Sequence, residues 1–237
     1  MLPIAPLVIP TMFILASSGG LCDMGKQPEI NVIPQAEDTV YDSSQSLAQI
    51  QNYDMDTVNP YGLHHTTYTN AFMRGGVKME TEVSIMSRSS KAMGAGCLGY
   101  NQINVTLKLA PEIVIGHEIY MDACMRKSVL THELKHVAVD RLMVNKYANI
   151  IGNKIYDTLK AQDGFVVGPI PLSRMDSTQA AMRKLISQIV DTEFQRLNLE
   201  RRDRQQEVDS LGEYDSVIDH CPIFKRHANE IYGNLKK

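Results

Sequence analysis

The stretch Val129-Leu130-Thr131-His132-Glu133-Leu134-Lys135-His136-Val137 decides how the rest of the chain is read. Around it Val129, Leu130, Leu134, Val137, Leu142 and Val144 recur at three- and four-residue spacing, the period of a helix that begins near Ala123 and can run on toward Leu159. Inside that helix, His132 to His136 form an H-E-x-x-H run. Side chains four apart on an α-helix project about 40° apart, so both imidazoles can reach one cation from one face. Zinc accepts imidazole nitrogen at about 2.0–2.1 Å in a tetrahedral shell that leaves one position for water. Glu133 flanks that position, where a carboxylate can take the proton of the attacking water and deliver it to a leaving amine. The pattern predicts a zinc centre held by His132 and His136, with Glu133 as general base.

A catalytic site needs a third protein ligand. Asp140 shares the face of His136, but eight residues of straight helix span about 12 Å, too far for His132, His136 and Asp140 to converge on one ion. Asp140 reads better as an acceptor behind a ligand or as a surface charge. A ligand from a second long helix suits the geometry, and Asp209 and Glu213 lie four apart there. Glu213 is the expected ligand, with Asp209 and His220 as alternatives; one carboxylate would bind metal while the other orients a ligand. His64 and His65 read as loop residues, His117 as structural or exposed, and His227 sits near the chain end.

On the N-terminal side of the motif the period changes. Val77, Met79, Thr81, Val83 and Ile85 alternate with polar neighbours, as do Ile103, Val105, Leu107 and Leu109, and Ile113 to Ile115 continue as a third strand. Ser89 to Gly99 reads as a Gly- and Ser-rich loop. On the other side, Gly164 and Pro169 to Pro171 mark a turn before a second helix, which starts near Asp176 or Ser177. Its stripe is Met182, Leu185, Ile186, Ile189, Val190 and Leu197; apolar spacing returns at Val208 and Leu211, and the helix ends before Pro222. The fold class is α+β: a small antiparallel sheet packed on two long helices, with a zincin-like active-site helix, over residues 67–237. Residues 21–66 are polar and read as a linker or arm.

Composition excludes some functions. The chain has 237 residues and a formal net charge of −3, which gives no electrostatic reason to expect nucleic acid. Arg201, Arg202 and Arg204 are interleaved with Glu200, Asp203 and Glu207, as on a solvated helix face. No Gly-rich phosphate loop follows a strand, and no G-x-S-x-G elbow occurs, so nucleotide chemistry and serine hydrolysis lack support.

Leu2 to Ala16 are almost entirely apolar and run into Ser17, Ser18, Gly19 and Gly20, so residues 1–20 read as a signal peptide. Export to the periplasm or outside the cell follows, with no stable transmembrane segment once the signal is removed. A lipid on Cys22 is the less favoured alternative, because Leu21 stands where lipoprotein processing wants a small residue. The chain has four cysteines. Cys97 and Cys124 bracket the expected strands and are the expected disulfide, leaving Cys221 with Cys22, an intermolecular partner or none.

From Val77 to Cys221 the sequence resembles a group of bacterial proteins described as predicted secreted zinc-dependent proteases. The likeness is carried by strands leading into His132-Glu133-x-x-His136, by Cys124 shortly before the motif, and by the later Gln206-x-x-Asp209 segment. It implies a zinc site on the first helix and an extracytoplasmic location. The expectation is an exported zinc hydrolase, a peptidase acting on peptide or cell-envelope substrates. The alternatives are a non-catalytic exported binding protein and a structural zinc protein.

Overall fold

A computed structural model describes residues 20–53 and 68–233. Residues 1–19 of the expected signal peptide, together with His64 and His65, lie outside the described residues. In chain order the elements are β1 (Glu29–Ala36), β2 (Val40–Asp42), α1 (Leu47–Ile50), β3 (Ala71–Arg74), β4 (Val77–Ser90), β5 (Ala95–Leu109) and β6 (Glu112–Ile115). They continue as α2 (His117–Met121), α3 (Ala123–Ala161), β7 (Val166–Pro171), a short 3-10 turn, α4 (Met175–Val208), α5 (Leu211–Asp219) and α6 (Pro222–Gly233).

Helix α3 begins where Asp122 accepts the backbone N–H groups of Cys124 and Met125, both at 2.9 Å, which satisfies donors that a helix start leaves open. It ends at Gln162, where Asp163 turns with φ of 48° before Gly164. Its buried face supplies Met143, Val144, Ile151, Ile155 and Leu159, which pack in one core with Met182, Ile186, Val190 and Leu197 of α4 and with Ile103, Val105, Leu107 and Leu109 of β5. Those β5 residues sit two apart, so one face of the strand meets the helices and the other carries Gln102, Asn104 and Thr106 outward. A second core gathers Leu47, Ile50, Phe72, Ile113, Ile115 and Val129 around the other end of α3.

The α+β class holds, but the sheets are mixed rather than antiparallel. In the first, β5 pairs antiparallel with β4 (Val77↔Leu109 to Ser90↔Ala95) and parallel with β1 (Glu29↔Gln102 to Ala36↔Leu109), while β7 joins the Ala95 end of β5. In the second, of order β2-β6-β3, β6 pairs parallel with β2 and antiparallel with β3. Both parallel strands come from the segment read as a linker. That reading is corrected: β1 is an outer strand that needs only Ile30 and Val32 against the core, while Ile33 is 50% exposed, so its composition stays polar.

Three further expectations change. Ser89 to Gly99 is not a loop but the tip of a long hairpin, with β4 and β5 continuing to Ser90 and from Ala95. Its glycines answer close packing: a Cβ on Gly96 would lie 2.8 Å from the Met175 sulfur, and one on Gly99 would lie 2.8 Å from Met24 Cγ. The second helix is interrupted. Asp209 closes α4, and Ser210, with φ of −67° and ψ of 154°, opens α5. The cysteines pair as Cys22–Cys97 and Cys124–Cys221, not as Cys97–Cys124. Cys97 lies in β5 beside β7, whereas Cys124 opens α3 against the second core, which contains Cys221. With its sulfur bonded to Cys97, Cys22 has no thiol to carry a lipid. Among the described residues no helix is long and apolar enough to cross a membrane.

Candidate metal centre

Helices α3 and α4 face each other antiparallel, so each step of one turn up α3 is answered by one turn down α4. Three consecutive rungs of this ladder are polar: His132 meets Asp209, His136 meets Gln205, and Asp140 meets Arg201. Four-residue spacing on both helices puts all six side chains in the shared interface.

At the first rung three donor atoms converge. Asp209 Oδ1 lies 3.1 Å from His132 Nε2 and 3.1 Å from His136 Nε2, and the two Nε2 atoms are 3.3 Å apart. A tetrahedral zinc with bonds of about 2.0–2.1 Å holds its ligand atoms about 3.3 Å from one another. The three atoms thus form one face of such a tetrahedron, and this His–His–carboxylate set could hold a metal ion. His132, His136 and Asp209 are 7%, 8% and 6% exposed. Nδ1 of His132 is buried with no hydrogen-bond partner among the described residues, so the polar contacts of that ring are all at Nε2.

The rung behind supports the first. Gln205 Oε1 lies 2.5 Å from His136 Nδ1, and its Nε2 donates to the His136 carbonyl at 3.1 Å and to Asp140 Oδ1 at 2.6 Å. Asp140 is fully buried and accepts Arg201 Nε at 2.6 Å and Nη2 at 3.0 Å. It therefore stands behind a candidate ligand.

Glu133 is 5% exposed beside the pair, and the backbone N–H of Met73 donates to its carboxylate. Burial pushes its pKa up, while His136 and His132 pull against that shift. The His136 pKa is also raised: burial opposes the charged ring, but the Asp209 hydrogen bond and the Glu133 charge outweigh it. Tyr214, near the start of α5, sets its ring edge-on to His132 with centroids 6.2 Å apart. Burial, then the charges of Asp209 and Glu133, push its hydroxyl up to about 12.

These groups open onto a cleft of about 1170 Å³. One wall is β3, the outer strand of its sheet; the others come from α4, α5 and α6.

Glu213, the expected third ligand, is not in the cluster. It pairs with Lys135, which explains how a charged residue fits inside the motif: Lys135 faces outward. A continuous helix would have kept Asp209 and Glu213 on one face; the break at Asp209 and Ser210 turns Glu213 aside. His220 is exposed, with Nδ1 2.5 Å from the Ser216 carbonyl, and His117 and His227 are likewise exposed against backbone carbonyls. Gln205 and Tyr214 were not singled out by sequence. The signal that could have found Gln205 is its position one turn before Asp209.

No family model matches this chain. No curated protein and no solved structure matches it either.

Proposed function

We propose that this chain is an exported zinc-dependent hydrolase that cleaves peptide bonds. The observation that carries the reading is the triangle of His132 Nε2, His136 Nε2 and Asp209 Oδ1, with sides of 3.1, 3.1 and 3.3 Å, next to a buried carboxylate on an open cleft. His132, His136 and Asp209 would hold the ion, which when bound supplies Lewis acidity and an acidified water.

The chain's own residues then have distinct tasks. Glu133, held by the Met73 N–H, accepts a proton from water on one carboxylate oxygen and returns it to the departing amine. A carboxylate whose pKa is raised by burial is better matched to both halves of that transfer. Tyr214 keeps its proton across the neutral range and can donate it in a hydrogen bond to the oxygen that gains charge. Among the described residues no strand pairs with the outer edge of β3, and that edge suits an extended peptide, whose backbone would add to the strand. Two disulfides fit an oxidising compartment, in keeping with a periplasmic or secreted protein acting on peptide or cell-envelope substrates.

The test is metal content followed by one substitution. Purified protein should bind one equivalent of zinc and cleave a mixed peptide pool, and Glu133→Gln should retain the zinc while losing cleavage. Full activity in that variant would refute the general-base role, and absence of stoichiometric zinc would favour the non-catalytic binding protein. A structural zinc protein would instead bind the metal fully and cleave nothing.

A further inference from the structure

We infer that Gln205 is a positioning residue that fixes which nitrogen of His136 faces the metal centre, and that Asp140 and Arg201 hold Gln205 in the orientation this requires. The inference rests on the zinc reading for its consequence but not for its geometry.

The Gln205 amide is fixed by what surrounds it. Its Nε2 has two partners, the His136 carbonyl at 3.1 Å and Asp140 Oδ1 at 2.6 Å. Asp140 is bound edge-on by the Arg201 guanidinium and is therefore a carboxylate. Both partners only accept, so a nitrogen with two hydrogens must stand between them. Turning the amide over would set its oxygen against a carbonyl and a carboxylate. Its Oε1 is thereby committed to His136 Nδ1, 2.5 Å away, and an oxygen there can only accept. Nε2 is left facing His132 Nε2 and Asp209 Oδ1. When Nε2 gives its lone pair to an ion, the ring hydrogen must be on Nδ1, where Gln205 accepts it; in the metal-free neutral ring Asp209 Oδ1 competes with Gln205 for that one hydrogen.

Packing gives no other reason for a glutamine here. Gln205 is 5% exposed, and deeper along the same helix pair buried positions such as Val144, Ile151, Val190 and Leu197 are apolar, with Glu193 the charged exception. A buried amide at such an interface is costly unless every hydrogen bond is made, and this one makes three. The ion pair behind it has the same logic. Without Arg201, Asp140 would be an uncompensated buried charge. Without Asp140, the amide would lose the acceptor that fixes its orientation.

The experiment uses the full chain labelled with nitrogen-15, at a pH where the ring is neutral. Long-range proton–nitrogen spectra of zinc-loaded wild-type protein should show His136 protonated at Nδ1, with Nε2 the nitrogen that shifts on zinc addition. Gln205→Leu should move the metal-free ring toward the Nε2-protonated form and weaken zinc binding by about 10–100-fold with helicity unchanged. Gln205→Glu combined with Asp140→Asn keeps an acceptor at Nδ1 with a donor behind it, gives up the bond to the His136 carbonyl, and should recover part of that loss. Zinc bound through Nδ1, a metal-free tautomer balance unchanged in folded Gln205→Leu, or unchanged zinc affinity in that variant would each overturn the inference. If Gln205→Leu does not fold, the wild-type spectrum decides alone. If the protein binds no zinc, the metal reading fails, while the shift in metal-free tautomer balance between wild type and Gln205→Leu still decides the role of Gln205.

Discussion

Asp209 and His132 are separated by 77 residues, yet their side chains, both buried, meet at 3.1 Å at the floor of the cleft. The contact exists because α4 returns antiparallel along α3 and stops at Asp209. Were α4 one residue longer or shorter before its break, a different side chain would close the triangle.

Asp209→Ala should therefore weaken zinc binding by more than the roughly 10–100-fold that loss of a supporting partner causes. Glu213→Ala should leave zinc affinity unchanged and alter stability by no more than about 1 kcal/mol, since its ion pair with Lys135 is exposed. Competition with a chelator of known affinity measures both. The opposite order would return Glu213 to the site.

Replacing Glu133 should stabilise the metal-free protein. Its pKa is raised in the folded chain, chiefly by burial. Below about 4.5 the carboxyl is neutral in both folded and unfolded states and imposes no penalty. As pH rises through the folded value, the unfolded chain ionises more readily, and the folded state loses stability. Metal-free Glu133→Gln should melt higher than wild type at neutral pH, with the difference vanishing on acidification. A lower melting temperature at pH 7 would contradict this.

His136 gives a pH dependence of two opposite signs. Its pKa lies above the ordinary 6.5, so the charged ring contributes stability to the metal-free protein below that value, and the contribution is lost as pH rises through the folded pKa. Zinc competes with the proton on Nε2, so zinc affinity should fall by about tenfold per pH unit once pH drops below the folded value. Calorimetry in buffers of different ionisation enthalpy should register proton release on zinc binding. Binding without proton release, at a pH where the ring is charged, would exclude Nε2 as a ligand atom.

Tyr214→Phe should lower kcat by about 10–1000-fold with little change in KM, the pattern expected when a donor acts on charge that develops during reaction. Zinc content should be unchanged. A purely structural role would instead show as a lower melting temperature with kcat retained.

The Cys124–Cys221 disulfide closes a separation of 97 residues between the first turn of α3 and the start of α6. Replacing both cysteines by serine should cost about 2–5 kcal/mol of unfolding free energy, read by denaturant titration. Zinc affinity should fall as well, because α5 has no fully buried residue and is held to α3 by half-buried Val217 and Ile218, the Lys135–Glu213 pair and the Ser128 Oγ to Val217 carbonyl bond. Equal stability of the variant and wild type would argue against this staple.

Much of the fold could be read directly. The period of Val129, Leu134 and Val137 set α3, the alternation from Val77 and from Ile103 set β4 and β5, and the i, i+4 spacing of His132 and His136 placed two donors on one face. Such patterns are local, because a residue's neighbours on a helix or strand are fixed by backbone geometry. The outer strands were harder: β1 and β2 bury too little to alternate clearly, and what makes them strands is the partner edge of β5 and β6. The cysteine pairing was harder still, since it depends on which ends of the sheet and helix come together. The third donor belonged to the same class. Asp209 and Glu213 are equivalent in sequence spacing, and only the break at Ser210 and the antiparallel docking of α4 on α3 separate them. Periodicity named the two histidines and the carboxylate between them; the site was completed by contacts that cross from one helix to the other, which no one-dimensional pattern encodes.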